Sequence, residues 1–319
     1  MRTILIDTDT ASDDAVALIM ALRHPGVRVA GITVVSGNVA LPQAVRNALY
    51  TVELCGKTDV PVFAGAGKPL LRDLSHAEWF HGADGFGNQN YPHASIRAQS
   101  QHGVDAILSI VRANPGLTLV TLGPLTNVAL AVSRDPGIAK LIDRCVIMGG
   151  NPACEGNVTP AAEYNIWCDP AAARIVVRSG MPIELVGWQL CRGEANLNEA
   201  NIAAVRALDT KLAHFAIDIN RTAMEANRIQ SGEMGIALPD PVAMAIALDP
   251  SVCTIASNHR VEIECASELT RGQTVVDRLN VSGDERNRGI WNEMVGQSIR
   301  VCWAIDIPLW KRMLMNALG

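Results

Sequence analysis

Apolar and polar positions along this chain switch repeatedly between two periods. The runs "RTILI" (2–6), "VRVAGITVVSG" (27–37), "LTLVTLG" (117–123), "RCVIMGG" (144–150) and "PIELVG" (182–187) read as buried strands, the second rich in β-branched residues. Between them, "DDAVALIMALRH" (13–24), "LPQAVRNALYTVELCG" (41–56), "PLTNVALAVSR" (124–134) and "DPAAARIVVRSG" (169–180) read as helices. Strand, helix, strand in that order implies right-handed crossovers, so the predicted class is α/β: a mostly parallel open sheet with a Rossmann-like core flanked by helices. The last third predicts helices at 209–227 and 241–248, short strands at 258–265, 274–278 and 299–304, and a closing helix near 307–317. No internal repeat, low-complexity tract or Pro/Ser-rich linker interrupts the chain, which predicts a single domain over 1–319.

A sheet of this kind takes its ligands outside the carboxyl ends of its strands. Asp7 and Asp9, Gly37 and Asn38, Leu122 and Gly123, and Met148 to Gly150 fall at those ends. Two long polar stretches break the rhythm: 65–102, with "AEWFHGADGFGNQNYPH", and 150–168, with "EGNVTPAAEYNIWC". Long loops in a compact α/β unit are more often functional than idle.

Composition narrows the partners. With 319 residues, 49% hydrophobic content, a formal net charge of −5 and a pI near 5.8, the chain has a large core and no basic block for phosphates. Neither nucleic acid nor a membrane surface is expected as a partner. Eight cysteines are scattered without C-x-x-C pairs, several inside apolar runs, which suits reduced thiols in a cytoplasmic protein. The apolar run before Asp7 is too short for a signal-peptide core, and no later run reaches the length of a membrane span.

The densest chemistry lies in "ILIDTDTASDDAVALIM", with four aspartates (Asp7, Asp9, Asp13, Asp14) in eight positions after a buried strand. Asp13 and Asp14 open a helix, where acids cap free N–H groups; Asp7 and Asp9 lie at a strand end, where capping explains nothing. Burying unpaired carboxylates together costs several kcal/mol, so a cation among them is the economical solution. All-oxygen ligation selects a hard ion, and Ca²⁺ tolerates irregular sites of six to eight ligands with positions left open for substrate.

Two families share features of this segment. "ILIDTDTAS" resembles the haloacid-dehalogenase phosphatase signature D-x-D-x-[TV], but Ala11 stands at the fifth position and "GDERNR" (283–288) lacks the second acid of the later pair. The segment 7–17 also resembles the D-x-D-x-x-x-D-D-x-x-A signature of the nucleoside hydrolase family. That resemblance continues through "VVSGN" (34–38), "RNA" (46–48), "HGADG" (81–85), "LGPLTNVALA" (122–131), "VIMGG" (146–150), "EGNVTPAAEYNIWCDPAAA" (155–173) and "DPVAMA" (240–245). It implies the nucleoside hydrolase fold, Ca²⁺-dependent hydrolysis of the N-glycosidic bond of ribonucleosides to base and ribose, a role in nucleoside salvage, and a homodimer or homotetramer.

Position by position, the resemblance implies that Asp9, Asp14 and Asp240 ligate calcium with the backbone carbonyl of Leu122. Asp13 and Asn38 would hold the ribose hydroxyls, with Asn165 contributing, while Asn157, Glu163 and Met148 grip the 5′ side; Asp7 supports. Taken singly, Asn38 reads as a turn residue and Glu163 as a solvated loop acid. The collinear motifs reverse that reading. Loss of the base leaves an oxocarbenium-like ribosyl cation, which carboxylates stabilise, and Asp9 is expected to accept a proton from a metal-bound water.

At the base end, many members carry a His before the last calcium aspartate, where this chain has Pro239. Trp79 resembles the stacking Trp of a purine-preferring branch and His81 a base-side His able to act as acid to the leaving base; Trp188 and Arg228 are further candidates. The plain alternatives are a Trp79 anchored on the core and a surface His81. The expectation is a ribonucleoside hydrolase leaning to purines, with a non-catalytic calcium-dependent nucleoside or ribose binding protein as the competing reading.

Overall fold

The computed structural model describes residues 1–319 apart from 288, 290 and 292–297. Among the described residues there are ten strands: β1 (Arg2–Thr8), β2 (Val27–Val34), β3 (Val62–Ala64), β4 (Leu117–Thr121), β5 (Ile142–Met148), β6 (Ile183–Val186), β7 (Cys253–His259), β8 (Val261–Ile263), β9 (Thr274–Val276) and β10 (Ile299–Ile305). Eight form one sheet in the order β3-β2-β1-β4-β5-β6-β10-β7, parallel throughout except for β7, which runs antiparallel to β10 at the edge. A separate antiparallel pair joins β8 and β9.

The near-continuous apolar strands follow from burial on both faces. In β1, Ile4 and Ile6 enter one core and Leu5 the other, as the two-residue period of a strand requires. Helices Ser12–Arg23, Leu41–Leu54, Lys211–Asp218, Pro239–Leu248 and Ile307–Leu318 pack on the first face, and Gly103–Ala113, Thr126–Arg134 and Pro170–Val177 on the second. Helices Ser12–Arg23 and Pro239–Leu248 pack on each other and are buried around nearly their whole circumference. That explains why their sequences are apolar all round rather than striped.

Several expectations change. The helical run at 209–227 is two helices, Lys211–Asp218 and Arg221–Ser231, with the break at Ile219 and Asn220, where the Asn220 side chain turns back onto the Ala216 carbonyl. The strand expected at 258–265 is the end of β7 followed by β8. Strand β3 and helix Gly103–Ala113 have no counterpart in the sequence reading; β3 has only three residues, too few to show a period. Of "GDERNR", residue 288 lies outside the described residues, while Asp284 pairs with Arg286. The eight cysteines are free thiols. Among the described residues, no helix is long and apolar enough to cross a membrane.

Candidate active site

The first-turn acids of two helices meet at the carboxyl edge of the sheet. One carboxylate oxygen each from Asp13, Asp14 and Asp240 lies within 4.8 Å of the others. Asp9, just beyond β1, joins them through hydrogen-bond contact with Asp14. All four are buried, as is Asp7 beneath them. Thr8 Oγ1 and the Ala11 N–H donate to the two oxygens of Asp14 at 2.5 and 2.9 Å, and the Asn38 N–H donates to Asp9 Oδ2 at 2.6 Å. Asp9 Oδ1 and Asp13 Oδ1 have no hydrogen-bond partner. The backbone closes tightly around Asp9: a Cβ on Gly37 would lie 2.0 Å from its Oδ2, and one on Gly123 2.8 Å from its Oδ1.

Burial is the largest cause of every shift in this cluster. It pushes Asp13 up to about 7, with help from the charge of Asp14, and holds Asp9 and Asp240 well above the usual carboxylate range, with the neighbouring aspartates adding to it. Asp14 is raised as well, by burial. No Lys or Arg is among the main causes of these shifts. Four crowded, desolvated carboxylates, two of them with an orphaned oxygen, fit a hard divalent cation. Asp7 stands apart: its Oδ1 accepts from Thr33 Oγ1 and, at 2.8 Å, from Asn127 Nδ2, which ties the end of β1 to its neighbours, and burial pushes it up to about 7.

Above the acids opens a cavity of about 820 Å³ including its mouth, large enough for a nucleoside-sized ligand. Asp13, Asn38, Trp79, His81, Leu122, Met148, Asn157, Glu163, Asn165 and Asp240 all line it, so the expected residues converge from segments far apart in the chain. Asp9 and Asp14 lie under its floor, with no exposed surface. Glu163 caps the helix Tyr164–Cys168, accepting from the N–H groups of Asn165 at 2.9 Å and Ile166 at 3.3 Å, and from that of Gly150 at 2.8 Å; burial raises it to about 7. Far from being a solvated loop acid, it knits two loops together. Asn165 Nδ2 donates to the Leu122 carbonyl at 2.8 Å, and Asn157 Oδ1 accepts from the Tyr164 N–H at 2.8 Å.

His81 ends the short helix Glu78–His81 and is buried, with Nδ1 2.8 Å from Ser12 Oγ and 3.9 Å from Asp13 Oδ1. It is not a surface residue. Burial lowers it to about 3, leaving the imidazole neutral near pH 7. Trp79 is 58% exposed on the rim, edge-on to Phe80, so it is not an anchor on the core. Trp188 and Pro239 line the cavity, whereas Arg228 is exposed, pairs with Glu225 and is absent from the lining. Sequence reasoning missed Ser12, His76, Tyr164, Asn220 and Gln230 in the wall. Ser12 lies within the aspartate motif and Tyr164 within the motif 155–173; His76, Asn220 and Gln230 are single polar residues in loops and helices, with no spacing that marks them. Gln230 reaches across to the Asn157 carbonyl and Tyr164 to the Ser75 carbonyl, so both bridge segments at the mouth.

Comparison with known proteins agrees with this geometry. The family model described as inosine-uridine preferring nucleoside hydrolase matches residues 4–309. The chain is 38% identical over 288 residues to the pyrimidine-specific ribonucleoside hydrolase RihA of Shewanella sp. (strain MR-7), covering 90% of each. Among solved structures it resembles the plant nucleoside hydrolase PpNRh1, with a TM-score of 0.92, 31% identity and 99% and 98% of the two chains covered. It also resembles a purine-preferring ribonucleoside hydrolase from Gardnerella vaginalis, with a TM-score of 0.89, 30% identity and the same coverage.

Proposed function

Since this chain belongs to the inosine-uridine preferring nucleoside hydrolase family and is a ribonucleoside N-ribohydrolase, we propose that it works with Ca²⁺ held by Asp9, Asp14, Asp240 and the Leu122 carbonyl. The observation that carries this reading is the cluster of buried aspartates at the floor of the cavity, where Asp9 and Asp13 each keep one unpartnered oxygen. Ca²⁺ fits better than Mg²⁺ because the ligands come from three separate segments, 7–17, the end of β4 and the start of helix Pro239–Leu248, in an irregular arrangement. Bound there, the ion would orient the ribose hydroxyls and make a water molecule more acidic.

The protein's own groups do the remainder. Asp13 and Asn38 grip the ribose hydroxyls, with Asn165 beside them; Glu163, Asn157 and Met148 hold the 5′ side. Asp9, pinned between Gly37 and Gly123, accepts the proton of the attacking water. The surrounding carboxylates favour the positive charge that develops on the ribosyl group only as the base departs. His81 sits on the base side as a neutral imidazole hydrogen-bonded to Ser12, which suits delivery of a hydrogen bond to the leaving base.

Relatives with both base preferences exist, so their names do not rank the bases. We assign purine nucleosides the higher kcat/KM, because the exposed indole of Trp79 at the rim offers a stacking face for the larger ring. Release of reducing sugar from inosine, guanosine, adenosine, uridine and cytidine, with calcium and after exhaustive chelation, tests both parts. Chelation is expected to abolish release and calcium to restore it; faster turnover of uridine or cytidine than of inosine would reverse the base assignment. The family match over 4–309 sets aside the phosphatase and binding-protein readings of the aspartate motif.

A further inference from the structure

We propose that Arg192 is a positioning residue, which clamps two sides of the cavity mouth together so that Asn157 presents its amide to the 5′-hydroxyl of the ribose. This rests on the ribohydrolase reading of the cavity and extends it to a residue outside the lining and outside every motif. Arg192 follows the turn Trp188–Cys191, whose Trp188 lines the cavity and donates its N–H to the Gly150 carbonyl at 2.8 Å. From there its guanidinium reaches in two directions. Nη1 donates to Glu155 Oε1 in the loop after β5, while Nε and Nη2 donate at 3.1 and 2.9 Å to Glu233 Oε1, just past helix Arg221–Ser231. The second oxygen of Glu233 accepts from the Gly193 N–H at 3.1 Å and from Asn196 Nδ2 at 2.7 Å. With the Arg192 and Glu233 side chains only 25% and 23% exposed, this is a forked, mostly buried network rather than a lone surface pair, and such a network holds geometry.

Both carboxylates sit beside residues of the mouth. Gly156 alone separates Glu155 from Asn157, and it has no slack: a Cβ there would lie 2.2 Å from the carbonyls of Thr159 and Ala162. A shift of Glu155 therefore passes to Asn157. On the other side, Gln230 in the last turn of helix Arg221–Ser231 lines the cavity and donates to the Asn157 carbonyl. Alone, that bridge is an exposed amide on a flexible side chain, which gives up rotamer freedom to keep one bond. Arg192 supports it by drawing Glu155 and Glu233 onto one guanidinium, whereas the two carboxylates without it would repel and spread the mouth. The amide of Asn157 is what the clamp aims. Its Oδ1 is taken by the Tyr164 N–H at 2.8 Å, which leaves Nδ2 to donate to a ligand oxygen.

The test compares the purified full chain and Arg192→Ala on inosine and uridine and on their 5′-deoxy counterparts. The unaltered chain is expected to favour the nucleosides that carry the 5′-hydroxyl, and Arg192→Ala to shrink that kcat/KM ratio by about tenfold, because its loss falls on the hydroxyl-bearing substrates. A general loosening of the fold lowers all four alike, so an unchanged ratio overturns the proposal whether or not activity falls. Should Arg192→Ala not fold, Glu155→Gln decides, since that carboxylate is mostly exposed. A shrinkage of the ratio by about threefold supports the clamp, and a ratio equal to that of the parent overturns it. A parent indifferent to the 5′-hydroxyl overturns the place of Asn157 and the clamp with it. Failure of the ribohydrolase reading itself looks different: the unaltered chain then releases no base from any of the four.

Discussion

Glu163 illustrates how a single side chain in this site serves position and charge together. Three backbone N–H groups converge on its carboxylate, which favours ionisation, yet burial wins and the group is raised from 4.5 to about 7. In the unfolded chain it ionises near 4.5, so between that value and about 7 the native state holds a proton that the unfolded state has lost. Stability therefore falls as pH rises through this window, by about 3 kcal/mol from this group. Glu163→Gln, which cannot ionise, is expected to flatten that part of the pH–stability curve, measured by urea denaturation at half-unit steps from pH 4.5 to 7.5. A slope equal to that of the parent protein would mean that Glu163 is already ionised in the fold. Turnover is expected to drop in the same variant, because an amide cannot accept from Gly150, Asn165 and Ile166 at once.

At the scale of elements, the site is a consequence of where strands stop and helices begin. β1 ends in Thr8, and Asp9 follows in a slot whose walls are the backbones after β2 and β4. Gly37 has no room for a side chain, so Gly37→Ala is expected to push the Asp9 carboxylate aside and cost roughly 100-fold in kcat, the scale on which small misplacements act. Far-UV circular dichroism should remain that of the parent. Activity within about fivefold of the parent would show that the carboxylate has more freedom than the 2.0 Å approach implies. These positions were legible beforehand because strand ends and helix starts leave local signals: an apolar run followed by Asp-x-Asp, an acid pair opening a helix, and Gly-Asn after β-branched residues. The acids of the floor and the expected residues that line the cavity were read on those signals together with the motifs. What stayed hidden were contacts made by tertiary packing. Nothing local distinguishes Asn220 or Gln230 from other polar residues of a helical run, and the break at Asn220 itself was read as continuous helix because its flanks both carry helical periodicity. Arg228, a further candidate at the base end, is turned by its helix toward Glu225 instead.

For the molecule as a whole, the acid cluster joins elements from both ends of the chain, β1 and helix Ser12–Arg23 with helix Pro239–Leu248. Without a cation these elements meet through repelling carboxylates, and with one they meet through a shared ligand. Ion binding is thus folding energy as well as chemistry. Calcium at about 100 times its dissociation constant is expected to stabilise the chelated protein by about 2.7 kcal/mol, raising Tm by several degrees. Magnesium should do less, because it demands near-octahedral geometry and dehydrates reluctantly. Asp14→Asn separates the two contributions. Removing one charge from the centre of the cluster relieves repulsion among Asp9, Asp13 and Asp240, so the chelated variant should melt no lower than the chelated parent while losing the calcium increment. Scanning calorimetry on both proteins, with chelator, magnesium and calcium, gives the six values needed. A parent whose Tm is the same in all three conditions would leave the buried aspartates neutralised by their own protons, and the calcium assignment would fall with it.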